Sequence, residues 1–420
     1  MIDLEPVPST LYVFWPWKEP PTEVEIELAL GSTAQRDEIP DSDDAETLWT
    51  MSFSLEGSPA SVLVWACAVD ERPAFSTFDD VHWSQEEREQ VGRSRWLLGI
   101  ETVLRADDPI AGYHRQLRLC RKVCPQSPAV YDANAYRLRS GSLVDLMTST
   151  DIPPRTSELF RIHAVESTQE DGCGWLHTHG LARAAFPEVE ILRVPSSLFH
   201  AGAWLIHNFI DRYLNDDVLP DAGKPFQVGH TLSLAWRPWD EAANELAGSA
   251  PGGPDDRLDD DAHSGVRIVL VDSKRYGWIR KRWVPPLGVM KRIDSEGAIA
   301  TISHGETLRM ARLARERWPE LGMLFARHGC HEGWTFLVKL GYRVDGGEPH
   351  EREHLWFEVQ EIVPDRLRGR LLNRPLQISH MHEDEEGWHE LEMLTDWKIY
   401  SPRGEFTPEN VRYVRPVESR

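Results

Sequence analysis

The sequence predicts an α+β protein, with N-terminal mixed α/β-containing units followed by a small, curved, antiparallel-rich C-terminal sheet packed with a helix. Three observations lead there. Short apolar runs with period-two alternation recur near both ends, as half-buried strands require. Helix starts are marked by Ser84 with Glu87, Asp108 with Pro109, and Ser303 with Glu306. A Gly/Pro stretch at 248–254 followed by an aspartate-rich stretch at 255–261 divides the 420-residue chain, which is long enough for two or three domains.

Taken in order, residues 11–15 read as a strand. Val24, Ile26, Leu28 and Leu30 alternate with charged or small residues, which predicts a second, half-buried strand. The polar run 37–46 reads as a loop, and 51–55 and 61–69 as two further strands. A capped helix is expected from Ser84 to about Leu98. The next helix starts at Asp108 and carries Ile110, Tyr113, Leu117, Cys120 and Cys124 at helical spacing up to Pro125. Short helical pieces are expected at 131–136 and 142–147, strands at 159–165 and around Val189, Ile191 and Val194, a helix at 198–214 and a strand at 231–236. The five aspartates in 255–261 lack the alternation and terminal Glu of an EF-hand loop and read as a solvated linker. Strands at 266–271 and 299–302, a helix from Ser303 to near Pro319, and strands at 334–340, 354–359, 366–372 and 390–394 complete the chain. The expected domains are therefore 1–240 with a sub-boundary near 150, an acidic Gly/Pro linker at 241–265, and 266–420.

A net charge of −22 argues against a general DNA- or RNA-binding surface and against anionic membrane attachment, while a basic protein partner is compatible with it. The basic island 274–283 reads as an exposed turn flanked by packed aromatics, or as a phosphate or acidic-peptide contact. The start lacks a basic, apolar leader pattern, and no apolar run approaches a membrane span, so a cytoplasmic location is expected. Five cysteines in so long a chain do not form a disulfide framework. Cys120 and Cys124 suit one helical face but lack partners for zinc. Seventeen Trp residues suit wide sheet–helix interfaces.

The most concentrated chemical signal is Gly174–Leu181. His177 and His179 would share one face of a strand. A metal reading, zinc or another divalent ion, needs further donors, and His163, Glu166 and Cys173 are the candidates. The alternatives are metal-free acid/base or anion chemistry and a packed, hydrogen-bonded pair. A second candidate, for ligand or partner contact, is the strand face carrying His354, Trp356 and Glu358, with Leu355, Phe357 and Val359 turned inward. This is not the helical HExxH zinc signature. His380, His382 and His389 beside consecutive acidic residues are a third cation option, and His200, His207 and Asp211 read as a polar helix edge. No GxGxxG, P-loop or GxSxG motif is present, so no organic cofactor is expected and catalytic residues are not assigned.

From Ser303 onward the features run Glu306-Thr307-Leu308-Arg309-Met310-Ala311, Trp318-Pro319-Glu320-Leu321, Phe336-Leu337-Val338-Lys339, Glu353 to Val359, Gly369 to Pro375, and Leu394-Thr395-Asp396-Trp397. This order resembles the bacterial family domain of unknown function 2314, over 303–416. The words Trp175 to Leu181 and Val130 to Ala135 resemble a second bacterial family, domain of unknown function 4026, across 1–240. The first resemblance implies a helix joined to a small sheet-rich body without assigned chemistry, and related small domains are loosely linked to toxin immunity. The expectation is a non-enzymatic protein- or ligand-binding protein, related to toxin immunity. The alternatives are a metal-assisted hydrolase centred on His177 and His179, with Glu166 as base, and a small-ligand sensor.

Overall fold

The computed structural model of the chain describes all residues except 1–3, 32–33, 38–46, 56–60, 70–82, 167–171, 217, 230–231, 247–249, 258–262, 264, 274–282, 297–302, 349–350 and 413–420. The expectations at 274–282 and 299–302 lie outside the described residues, as does most of the loop expected at 37–46. The α+β class holds, with strands paired into three sheets.

The first sheet has seven antiparallel strands: β1 (Ser9–Phe14), β2 (Ala34–Asp37), β3 (Thr47–Leu55), β4 (Val62–Ala68), β5 (Trp96–Thr102), β6 (Ala129–Asp132) and β7 (Arg137–Ser140), in the order β2-β3-β4-β5-β1-β6-β7. The second has six: β8 (Arg161–Val165), β9 (Cys173–His179), β10 (Glu188–Pro195), β11 (Phe226–Gly229), β12 (Leu232–Pro238) and β13 (Arg267–Asp272), in the order β11-β12-β13-β10-β9-β8. Only β10 and β13 pair in parallel there. One apolar core runs through both sheets, from Leu11, Val64 and Ile100 to Leu176, Ile191 and Leu270.

Several helices cover this core. α1 (Glu23–Leu30), α2 (Gln85–Arg93), α3 (Pro109–Val123) and α4 (Gly141–Thr148) come with the first sheet, and α5 (Phe199–Asn215), α6 (Trp239–Ala243) and α7 (Leu287–Glu296) with the second. Asp108 caps α3 through the Ala111 amide at 3.1 Å, with Pro109 in its first turn, as the sequence indicates. Tyr113, Leu117 and Cys120 form its buried stripe. Beneath α3, Tyr113 donates to Asp132 at 2.9 Å, and Arg183 grips both Asp132 oxygens at 2.9 Å. Arg139 bridges Asp132 and Glu158 at 3.3 Å. Asp132, Arg139 and Arg183 are fully buried.

The chain forms two compact units, 1–149 with 153–303, and 150–152 with 304–420. This corrects the expected domain boundary. Residues 241–265 do not separate two domains, because β13 beyond them lies between β10 and β12. The second unit holds α8 (His304–Glu316), α9 (Trp318–His328) and an antiparallel sheet of β14 (Thr335–Arg343), β15 (Arg352–Ile362), β16 (Arg366–Leu371), β17 (Glu386–Glu390), β18 (Leu394–Ser401) and β19 (Gly404–Phe406), ordered β17-β16-β15-β14-β18-β19. Its own core includes Leu321, Val338, Phe357 and Trp397. The Trp397 indole donates to the Ala314 carbonyl at 3.0 Å, pinning α8 to β18.

Four local expectations also fail, one of them the strand at 390–394, where Leu391–Met393 form a 3-10 turn between β17 and β18. Residues 23–30 are helix, not strand: Thr22 and Glu25 form a reciprocal capping box, and Ile26 and Leu30, four apart, are buried while Val24 and Leu28 are exposed. The helix after Ser84 ends at Arg93, and Trp96–Thr102 joins the sheet. Residues 131–136 carry the β6–β7 turn, with Tyr136 at a φ of 49°.

Candidate metal centre

β8 and β9 pair antiparallel, with His163 opposite His177 and Arg161 opposite His179. Alternation along each strand puts His163, His177 and His179 on one face. Their ligand-capable atoms all lie within 4.8 Å of one another. A fourth imidazole joins from the chain before β13: His263 Nε2 lies 3.2 Å from His177 Nε2. Its ring centroid is 5.0 Å from those of both His177 and His179.

A shell of charged and aromatic groups fixes these rings. Trp175 stacks on His177 at 3.7 Å with 22° between the planes. Its indole N–H donates to Glu190, the residue paired with His177 on β10, at 3.1 Å. Arg257 donates to both Glu190 oxygens at 2.9 and 2.8 Å, and Arg267 adds a contact at 3.2 Å. The Arg257 guanidinium also lies over the Trp239 ring at 4.0 Å. Glu190 is fully buried, so this pairing is what allows a carboxyl group to sit under the site.

Burial pushes the His163 imidazole down to about 4, helped by Arg161 and His263. Burial pushes His177 and His179 down as well, reinforced for His177 by its imidazole neighbours and Arg267 and for His179 by His163 and Arg267. All three rings are therefore neutral near pH 7, the form that ligates metals. His177 Nδ1 is buried with no hydrogen-bond partner among the described residues. Zinc–nitrogen bonds of about 2.1 Å in tetrahedral geometry separate two ligand nitrogens by about 3.4 Å. The 3.2 Å between His177 and His263 is close to that edge, and the donor atoms of His163, His177 and His179 lie within 4.8 Å of one another.

Two sequence candidates stay outside the cluster. Glu166 is exposed just past the end of β8. Cys173 shares the His177 face, but Trp175 intervenes and four residues of strand span about 13 Å. Conversely, sequence reasoning missed His263, Glu190, Arg257 and Arg267. Glu188 and Glu190 inside an otherwise buried strand were the available signal, because a buried carboxylate demands a cation or several donors. Glu188 meets that demand with the Thr178 hydroxyl and the amides of Gly180 and Leu181, at 2.6, 2.8 and 2.8 Å.

The other candidates resolve differently. Cys120 and Cys124 are buried, and burial pushes both thiols up, Cys124 to about 12, which disfavours the thiolate a metal needs. His354, Trp356 and Glu358 do share the outer face of β15, with Leu355, Phe357 and Val359 buried behind them. His354 meets Thr395 at 3.1 Å, Trp356 lies 5.5 Å from the Lys339 ammonium, and Glu358 accepts from Arg370 at 2.6 Å. His380, His382 and His389 do not converge: His389 packs against Tyr342 and Phe357, whereas His380 lies 3.9 Å from Asp345.

Three family models match the chain. Residues 67–154 match the N-terminal region, and 162–271 the C-terminal region, of the protein of unknown function DUF4026. Residues 330–412 match DUF2314, an uncharacterized protein conserved in bacteria. Both resemblances read from the sequence therefore hold, with the DUF4026 match running from 67 to 271 rather than over 1–240 and the DUF2314 match over 330–412 rather than 303–416. No curated protein and no solved structure matches the chain.

Proposed function

We propose that the chain is a metal-binding protein whose DUF4026 region holds a divalent transition ion of the zinc class on His163, His177 and His179. The carrying observation is the convergence of three neutral imidazoles on two adjacent strands, with donor atoms within 4.8 Å of one another. His263 would supply a fourth nitrogen, a set suited to holding an ion. The hydrolase alternative needs a nearby carboxylate base. Glu166 points away from that role by its exposure, and Glu190 is occupied by Arg257, Arg267 and Trp175. These positions favour binding over hydrolysis. The net charge of −22 remains the support for a basic protein partner.

The test is metal analysis of untagged protein titrated with zinc. One equivalent bound per chain is expected, and the His163→Ala/His177→Ala variant, folded by circular dichroism, should lose it. Equal zinc binding by the variant and the parent protein would remove the basis of the proposal.

A further inference from the structure

The same two strands line a cavity on their opposite face. Ile162 and Ala164 alternate with His163 on β8, and Leu176 lies between Trp175 and His177 on β9, so these side chains project away from the imidazoles. Together with Phe160, Phe199 and Ala203 they form the apolar part of a cavity of about 470 Å³, open on one side and flanked by α5. That volume lies within the range of small-ligand pockets. Its polar lining is Arg137, Arg155, Ser157, Arg161, His200 and His207, with no carboxylate among the lining residues. In a chain with a net charge of −22, the Arg137 and Arg155 guanidiniums at one cavity run against the global sign.

The guanidiniums are held in place. Glu158, largely buried behind the cavity wall, pairs with Arg137 at 3.0 Å and with Arg155 at 3.3 Å. Arg161, opposite His179 on the imidazole face, donates instead to the Tyr136 carbonyl at 3.4 Å. The His207 ring packs against Phe160 at 5.1 Å.

We infer that this cavity binds a small organic anion, with a carboxylate or phosphate headgroup on Arg137 and Arg155 and a compact apolar body against Phe160, Leu176 and Phe199. Arginine forks match both headgroups bidentately, and the apolar floor adds contact that an inorganic anion could not use. The site is independent of the imidazole cluster and needs no metal.

Isothermal titration of the full chain with phenylacetate, phenyl phosphate and the neutral phenylacetamide tests it. At least one anion should bind at one per chain, with a Kd on the order of 1 mM or tighter, and the amide should not. The stronger anion identifies the headgroup. The Arg137→Leu/Arg155→Leu variant should weaken the bound anion at least tenfold, whereas His163→Ala/His177→Ala should leave it unchanged. If the double arginine variant does not fold, Arg155→Leu alone, at a 55% exposed side chain, carries the same expectation of weakening. Amide binding equal to the anions, no anion binding up to about 10 mM, or undiminished binding in the arginine variant would each overturn the inference.

Discussion

His163, His177 and His179 make the fold sensitive to acid in a defined direction. Their folded values lie below the ordinary histidine value of about 6.5, with burial as the first cause. Below about 6.5 the unfolded chain takes up protons that the folded chain refuses, so stability is full above that pH. It falls as pH drops, through about 4 for His163 and lower still for the other two. Thermal midpoints measured across this range should fall, and His177→Asn should shallow the slope; a slope unchanged by that substitution would contradict the assignment. Asp132 behaves differently. Burial pushes its carboxyl up, but Arg183 and Arg139 outweigh burial and hold it below the usual range, so its contribution persists at neutral pH and is lost only in strong acid. Asp132→Ala would leave two buried guanidiniums without their shared carboxylate, and urea unfolding should record a loss of about 3–5 kcal/mol. At this scale the sequence was partly legible. His163 could be found because strand alternation aligns it with the pair, whereas Arg257 and His263 sit among aspartates that read as solvent-facing.

Among elements, α1 shows why a hydrophobic pattern alone misleads. Val24, Ile26, Leu28 and Leu30 satisfy period two, but Ile26 and Leu30 also satisfy a helical turn, and only those two are buried. The deciding information was in Thr22 and Glu25, whose reciprocal hydrogen bonds start the helix. Thr22→Ala should cost about 1 kcal/mol in denaturant unfolding, a loss absent if those contacts are incidental. The longer amphipathic segments, α3 and α5, were legible because their buried residues repeat over three or more turns. Gly180, directly after His179, carries a different constraint. Its φ is +111°, and a Cβ there would lie 2.5 Å from the Leu159 carbonyl oxygen. Its amide also binds Glu188. Gly180→Ala should therefore destabilise by about 1–3 kcal/mol and reduce zinc affinity with it. Unaltered stability would show that the turn relaxes.

The whole molecule has two compact units with separate cores, so heating should reveal two transitions. Zinc at about 100 times its Kd should stabilise the transition of the larger unit by about 2.7 kcal/mol and leave the other in place. A shift of both transitions would mean that they are thermodynamically coupled. The unit boundary is poorly legible from composition, because the polar, aspartate-rich stretch reads as a spacer although Arg257 within it anchors on Glu190.

β8 ends the order of its sheet and contributes only five residues, yet its alternation decides which chemistry each side of the sheet receives. Phase along this strand is thus a single variable with two readouts. One inserted residue would exchange the parity of His163 with that of Ile162 and Ala164, carrying an imidazole to the arginine-lined side and an alkyl chain to the histidine side. The proposed metal and anion preferences would then fail together, by a half-period slip of one short ribbon.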